Sequence, residues 1–219
     1  MSKTRRQPRA LSRRMRTVLI VAGSLGMVLL VWLDRGVFTP VRLERSTSGQ
    51  PDPAQDRARY HGRTFTVVRV VDGDTLHVNA PDGDSSMTKV RLLGIDAPET
   101  NDEERGQMYY AREATQFAQQ LACGRSVTLY LDESGRSRGN YGRLLAYVEL
   151  PDERILNDVL LLEGYAYADL RFRHSRYQRY QQLEATARSL QRGLWAQVKR
   201  EQLPDWLQGM QPDLLARPR

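Results

Sequence analysis

The sequence predicts an α+β fold: a five-stranded Greek-key barrel with three α-helices, set behind one N-terminal transmembrane helix. Three observations carry this. The chain opens on a basic run followed by a wholly uncharged stretch. Short β-branched segments broken by Gly and Asp come next, and the apolar period then switches between two residues and about 3.6.

Residues 1–16 hold Lys3, Arg5, Arg6, Arg9, Arg13, Arg14 and Arg16 and no acidic group. Setting these seven aside from the 33 Lys and Arg leaves 26, against 26 Asp and Glu, so the rest of the chain is formally neutral. The net charge of +7 therefore belongs to the tail, and attraction to a polyanion would have to come from local clusters. Residues 17–33, TVLIVAGSLGMVLLVWL, carry no charge. As a helix they span roughly 26 Å, close to the roughly 30 Å of a bilayer's hydrocarbon core. Trp32 suits the interface. A cleaved signal peptide is the rival reading, but no A-x-A-like site follows. The missing polar stripe speaks against a buried globular helix. By the positive-inside rule residues 1–16 stay in the cytoplasm and the remainder crosses a cell membrane to a periplasmic or extracellular side. Arg13-Arg14 is a weak match to a twin-arginine signal.

Residues 34–59 read as a polar linker, residues 60–198 as one domain of about 140 residues, and residues 199–219 as a short, weakly packed tail. A lone Cys123 closes no intramolecular disulfide and excludes a Cys-rich zinc site. His61, His77 and His174 share no metal-ligand spacing.

Within the domain, Phe65–Val71, Thr75–Val78 and Lys89–Ile95 are β-type runs bounded by turn residues, a three-stranded meander. Gln107–Cys123 is a helix, with Tyr110, Ala114, Phe117, Ala118 and Leu121 on one face and Gly124 as its stop. Ser126–Leu131 and Arg143–Leu150 are two further strands, and Ile155–Leu162 and Arg176–Leu190 two further helices. The order βββαββαα suits a barrel of the OB type, whose surfaces commonly bind oligonucleotides.

Three motifs concentrate the chemistry. Val70–Thr75, VVDGDT, ends the first strand; Arg91–Thr100, RLLGIDAPET, spans the third strand and its exit. In an up-down-up meander the C-terminal ends of strands one and three share an edge, so Asp74 and Asp96 should meet. Two carboxylates there call for a compensating cation, and hard oxygens favour Ca²⁺ or Mg²⁺. Glu99 follows three residues later and could hold a water. The third motif, NYGRLLAYV, brings Arg143, a second guanidinium beside Arg91 for phosphoryl oxygens. Each motif alone has a plainer reading, as a turn, a strand exit or a solvated arginine. Their conjunction in this order is what points to a site. An EF-hand is excluded, because Leu76 and His77 stand where a ligand and Gly are needed.

At these residues the sequence resembles the staphylococcal nuclease, or thermonuclease, family over residues 60–198, including Gly193-Leu194-Trp195. The resemblance implies the five-stranded OB barrel with three helices. It implies that Asp74, Asp96 and the Ala97 carbonyl bind Ca²⁺, with Mg²⁺ less suited. It also implies that Arg91, Glu99 and Arg143 are catalytic, that Tyr141 and Phe172 contact substrate, and that cleavage of DNA or RNA leaves 3′-phosphate ends. Ala97 replaces a frequent Thr, and Gly139-Asn140 replace an acid and a base before Tyr141. Tyr165 and Tyr167 read as packing residues. Arg171, Arg173, Arg176 and Arg179 read as a solvated face that could also guide a polyanion. The expected protein is a monomeric endonuclease; the alternative class is a non-catalytic nucleic-acid-binding OB module, from which the presence of Arg91, Glu99 and Arg143 separates it.

Overall fold

The computed structural model describes residues 52–101, 106–133 and 135–215. The basic run and the uncharged segment of residues 17–33 lie outside them. No helix among the described residues is long and apolar enough to cross a membrane.

Five strands close a barrel in the order β1-β2-β3-β6-β5: β1 Arg63–Val70, β2 Thr75–Val78, β3 Thr88–Leu92, β5 Ser126–Tyr130 and β6 Leu144–Glu149. All neighbours are antiparallel except β3 and β6, where Val90, Arg91 and Leu92 face Leu144, Leu145 and Ala146. The alternation read from the sequence fills the interior, with Val67, Leu76, Val78, Val90, Leu92, Val127, Leu129, Leu144 and Val148 buried together. Pairing of β1 with β5 closes the sheet, so the barrel has no free edge strand.

Two short strands outside the barrel, β4 Ile95–Asp96 and β7 Tyr167–Ala168, form an antiparallel ladder. The expected strand Lys89–Ile95 is thus split in two. Its break is Gly94, at φ +77, where a side chain would collide with the His174 ring. The buried Asn157 side chain holds this corner: its amide donates to the Leu93 carbonyl (3.0 Å) and its oxygen accepts from Val148 N (3.1 Å).

Among the described residues five α-helices stand around the barrel: α1 Pro53–Tyr60, α2 Ala111–Ala122, α3 Leu156–Leu162, α4 Tyr177–Ser189 and α5 Asp205–Met210. Helices α2, α3 and α4 are the three expected. Helix α2 starts four residues later than the period suggested, because Tyr110 sits at φ 69 and cannot continue a helix. Its Ala111, Ala114, Ala118 and Ala122 are buried, and it packs on β1. Tyr165 stacks on Phe117 at 4.0 Å, and buried Tyr167 meets Trp195 edge to face, as packing residues do.

Helices α1 and α5 lie within the stretches read as a polar linker (residues 34–59) and a short, weakly packed tail (residues 199–219), of which residues 52–59 and 199–215 are described. Asp52 accepts from Ala54 N to cap α1 and Pro53 follows it, both standard helix-start features. The buried face of α1 is only Asp56 and Tyr60, too short for an apolar period. Helix α5 is held by Leu207, which joins Leu203, Tyr167, Leu194 and Trp195 in a second apolar cluster.

Candidate active site

The turn Val71–Asp74 carries the first motif back along β2, and Gly73 lets it lie flat against its neighbours. A Cβ there would stand 2.6 Å from that of Ala97 and 3.1 Å from that of Ala114. The backbone of Asp74 then bonds into β3, its carbonyl accepting from Leu92 N (2.8 Å). Its carboxylate, 1% exposed, accepts from Ala97 N (2.6 Å) and from the Thr75 hydroxyl (3.0 Å).

Asp74 and Asp96 are brought to one partner, the side chain of Arg91, which stands between them. Its guanidinium pairs with Asp74 Oδ1 through Nη1 and with Asp96 Oδ1 through Nη2 (2.5 Å). Arg143 Nη1 donates to Thr75 Oγ1 (3.1 Å), which itself donates to Asp74. One hydrogen-bonded chain, Arg143–Thr75–Asp74–Arg91–Asp96, therefore joins the three motifs. Glu99 stands at the exposed rim. Partial withdrawal from water, then the charge of Asp72, pushes its carboxyl up; Asp96 adds to this while Arg91 and Arg143 oppose it. Burial likewise raises Asp72, against Arg91, Thr75 and Arg143.

Arg91 and Arg143 line a cleft of about 650 Å³ together with Tyr141, Arg171, Phe172 and Arg173. Tyr141 is 86% and Phe172 61% exposed, which leaves two aromatic faces open to solvent. Both lie beside guanidiniums, Arg143 at 5.7 Å from the Tyr141 ring and Arg171 at 5.8 Å from that of Phe172.

The basic run after Asp169 is divided rather than continuous. Arg171 reaches inward, to Asp169 (2.8 Å) and Asp96 (3.3 Å), while Arg176 and Arg179 pair with Asp158. Arg173 lies over the Tyr177 ring at 4.1 Å. His174 is buried against the Tyr147 hydroxyl (3.0 Å), and burial lowers its pKa.

The sequence reading gave Asp72 no role, although the string DGD displays it, and read Arg171 as part of a solvated face that could guide a polyanion, where the structure pairs it with Asp169 and Asp96. It also missed Trp206, whose indole N–H donates to Asp96 Oδ2 (2.8 Å) from a segment taken for a tail.

The donor set suits a hard divalent ion. Around the site, Asp72, Asp74, Asp96, Glu99 and Asp169 face Arg91, Arg143 and Arg171, five carboxylates against three guanidiniums. With every group counted as ionised the formal surplus is two negative charges, and the raised pKa of Glu99 is, after burial, in part its consequence. Among the described residues no three His, Cys, Asp or Glu side chains converge as a metal cluster, so main-chain and water oxygens would have to complete a shell begun by two aspartates.

A family model described as "Staphylococcal nuclease homologue" matches residues 89–197. That span takes in Arg91, Asp96, Glu99 and Arg143 but not the turn with Asp74. The chain is 32% identical over 151 residues to a thermonuclease of Staphylococcus hyicus, covering 68% of this chain and 86% of that protein. It is 33% identical over 135 residues to a thermonuclease of Staphylococcus intermedius, covering 61% of this chain and 77% of that one. An endonuclease of Bacillus subtilis is 32% identical over 155 residues, 67% of this chain but only 12% of that longer protein.

Proposed function

The chain belongs to the staphylococcal nuclease homologue family, a family of hydrolytic nucleases, and from that premise we propose that it is a Ca²⁺-dependent endonuclease of DNA, RNA or both that leaves 3′-phosphate ends. The observation supporting this most is the hydrogen-bonded chain that ties Asp74 and Asp96 to Arg91 and Arg143, two guanidiniums that line a cleft together with exposed aromatic rings.

In this reading Glu99 aims a water in line at phosphorus and takes its proton; its raised pKa suits a base. The water oxygen bonds to phosphorus, the bond to the 5′ oxygen breaks with its electron pair going to that oxygen, and the departing alkoxide takes a proton from solvent water. Arg91 and Arg143 donate to the phosphoryl oxygens on which charge grows. Arg91 is committed to two aspartates, so it must release one of them to serve a phosphate. Asp74, Asp96 and the Ala97 carbonyl would hold Ca²⁺, which when bound supplies Lewis-acid polarisation of the phosphoryl group. Mg²⁺ suits so irregular a donor set less. Tyr141 and Phe172 offer their faces to bases, a stacking mode that tolerates any sequence.

The test is to incubate the purified chain with plasmid and RNA in chelator and then in added Ca²⁺ or Mg²⁺, with end analysis of the products. Chelation should abolish cleavage and Ca²⁺ restore it, with 3′-phosphate termini. Full restoration by Mg²⁺ but not Ca²⁺ overturns the metal assignment. Binding without cleavage in any divalent metal means a recognition module instead.

We also propose that residues 17–33 tether the domain to the cell membrane with the N-terminus cytoplasmic, a reading supported by the charge pattern of residues 1–33 alone. Protease added to intact spheroplasts should digest the domain; its survival until lysis reverses the orientation.

A further inference from the structure

The family match ends at residue 197, yet the chain beyond it folds back onto the site. Leu203 and Leu207 sink into the second apolar cluster, and this sets Trp206 beside β4. The Trp206 indole N–H donates to Asp96 Oδ2 (2.8 Å). Above its ring, at 4.5 Å, lies the Arg171 guanidinium, which reaches the same Oδ2 (3.3 Å) and is itself anchored by Asp169 (2.8 Å). The other oxygen, Oδ1, accepts from Arg91 (2.5 Å) on the side of Asp74.

Asp96 ends a strand of only two residues, and the orientation of its carboxylate is set by the donors around it, Arg91 on Oδ1 and Trp206 and Arg171 on Oδ2. A donor on one oxygen does restrain it, and a hydrogen bond to a charged acceptor is among the stronger kinds. Arg171 adds charge but reaches Oδ2 less closely. The indole is the rigid donor, carried on a helix that buried leucines hold.

We propose that Trp206 is a positioning residue for the cation site: its N–H fixes Oδ2 and thereby keeps Oδ1 directed toward Asp74. This rests on the reading that Asp96 is a Ca²⁺ ligand. Partners that orient a metal ligand, when removed, typically cost about 10- to 100-fold in metal affinity. Trp206→Phe keeps a ring beneath Arg171 and the apolar packing, and removes only the donor.

The experiment measures Ca²⁺ binding to the full chain by calorimetry, for the parent, Trp206→Phe and Asp96→Asn, alongside thermal unfolding without metal. Trp206→Phe should bind Ca²⁺ about 10-fold more weakly or worse, with an unfolding midpoint within a few degrees of the parent and turnover at saturating Ca²⁺ within about threefold. In the parent, Tb³⁺ added in place of Ca²⁺ should luminesce on indole excitation, because Trp206 touches the proposed ligand. Unchanged Ca²⁺ affinity in Trp206→Phe overturns the proposal, as does a lowered midpoint with affinity intact, or the absence of indole-excited Tb³⁺ emission. If Asp96→Asn also leaves affinity unchanged, it is the cation-site reading that fails.

Discussion

Two clusters in this molecule share one composition, an arginine between two aspartates, and differ in everything that surrounds it. At Arg138 the guanidinium forks onto Asp56 of α1 through Nε (2.8 Å) and Nη2 (2.7 Å) and reaches Asp82 through Nη1 (2.6 Å). Ser137 Oγ donates to Asp56 (2.7 Å), and Arg138 Nη1 donates to the Gly142 carbonyl (3.0 Å). Arg138 is 6% exposed, and its hydrogen bonds, those to Asp56 above all, make the guanidinium hold its proton more tightly than usual. At Arg91 the same trio has further carboxylates at its border, and two of these, Asp72 and Glu99, are pushed up. The first cluster joins α1, the β2–β3 turn and the loop before Arg143. Both arginines reach the lining of one cleft, but the N–H groups of Arg138 are taken up by Asp56, Asp82 and the Gly142 carbonyl, whereas Arg91 has Asp72 and Glu99 at its border besides its two aspartates. A guanidinium whose donors are all taken builds architecture; one bordered by further carboxylates leaves a place for a ligand.

The comparison predicts opposite phenotypes. Arg138→Met leaves Asp56 buried without its partner and should lower unfolding free energy by about 3–5 kcal/mol, read by urea denaturation. A change under about 1 kcal/mol would mean that the cluster does not hold these elements together. Arg91→Lys keeps the charge and loses the planar fork. It should lower turnover by about 10²- to 10³-fold, equivalent to roughly 3–4 kcal/mol in the barrier, with stability altered by less than about 1 kcal/mol. Destabilisation as large as that of Arg138→Met would erase the distinction.

Glu184 sharpens the contrast from outside both clusters. It is buried on α4, accepts from Ala168 N (3.1 Å) and has its guanidinium neighbour, Arg188, no nearer than 4.0 Å. Burial pushes its carboxyl from 4.5 up to about 7. The folded state thus favours the protonated acid, so this contribution to stability is complete below about pH 4.5 and is lost as the pH rises through about 7. Glu184→Gln should flatten that fall, which is on the order of 2–3 kcal/mol between pH 4.5 and 8, in denaturation midpoints taken across the range. A variant as pH-dependent as the parent would assign the slope to another group.

How much of this is visible in the sequence depends on the distance over which each feature is written. The barrel strands show because alternation is local, and Thr75–Val78 keeps the bounds its turn residues imply. Strands β4 and β7 hold two residues each and can display no period. Asp52-Pro53 is a legible helix start, but the polar composition after it reads as linker. The convergence of Asp74, Arg91 and Asp96 follows from the meander, because strand polarity alone brings those ends together. The Arg138 cluster joins residues 82 positions apart through an ion pair that no spacing announces. Trp206 is hidden for the same reason, 110 positions from Asp96.

The parallel β3–β6 ladder has a consequence for synthesis and folding. Arg91 and Arg143 come side by side only when residue 90 meets residue 144, a closure that skips α2 and β5. Long-range pairing of this kind is entropically costly and slow to form. At ordinary elongation rates the second guanidinium leaves the peptidyl-transferase centre about 3 to 10 seconds after the first. A nascent chain therefore carries the acidic half of the site with only one of its two arginines until residue 144 has been made and the barrel shuts.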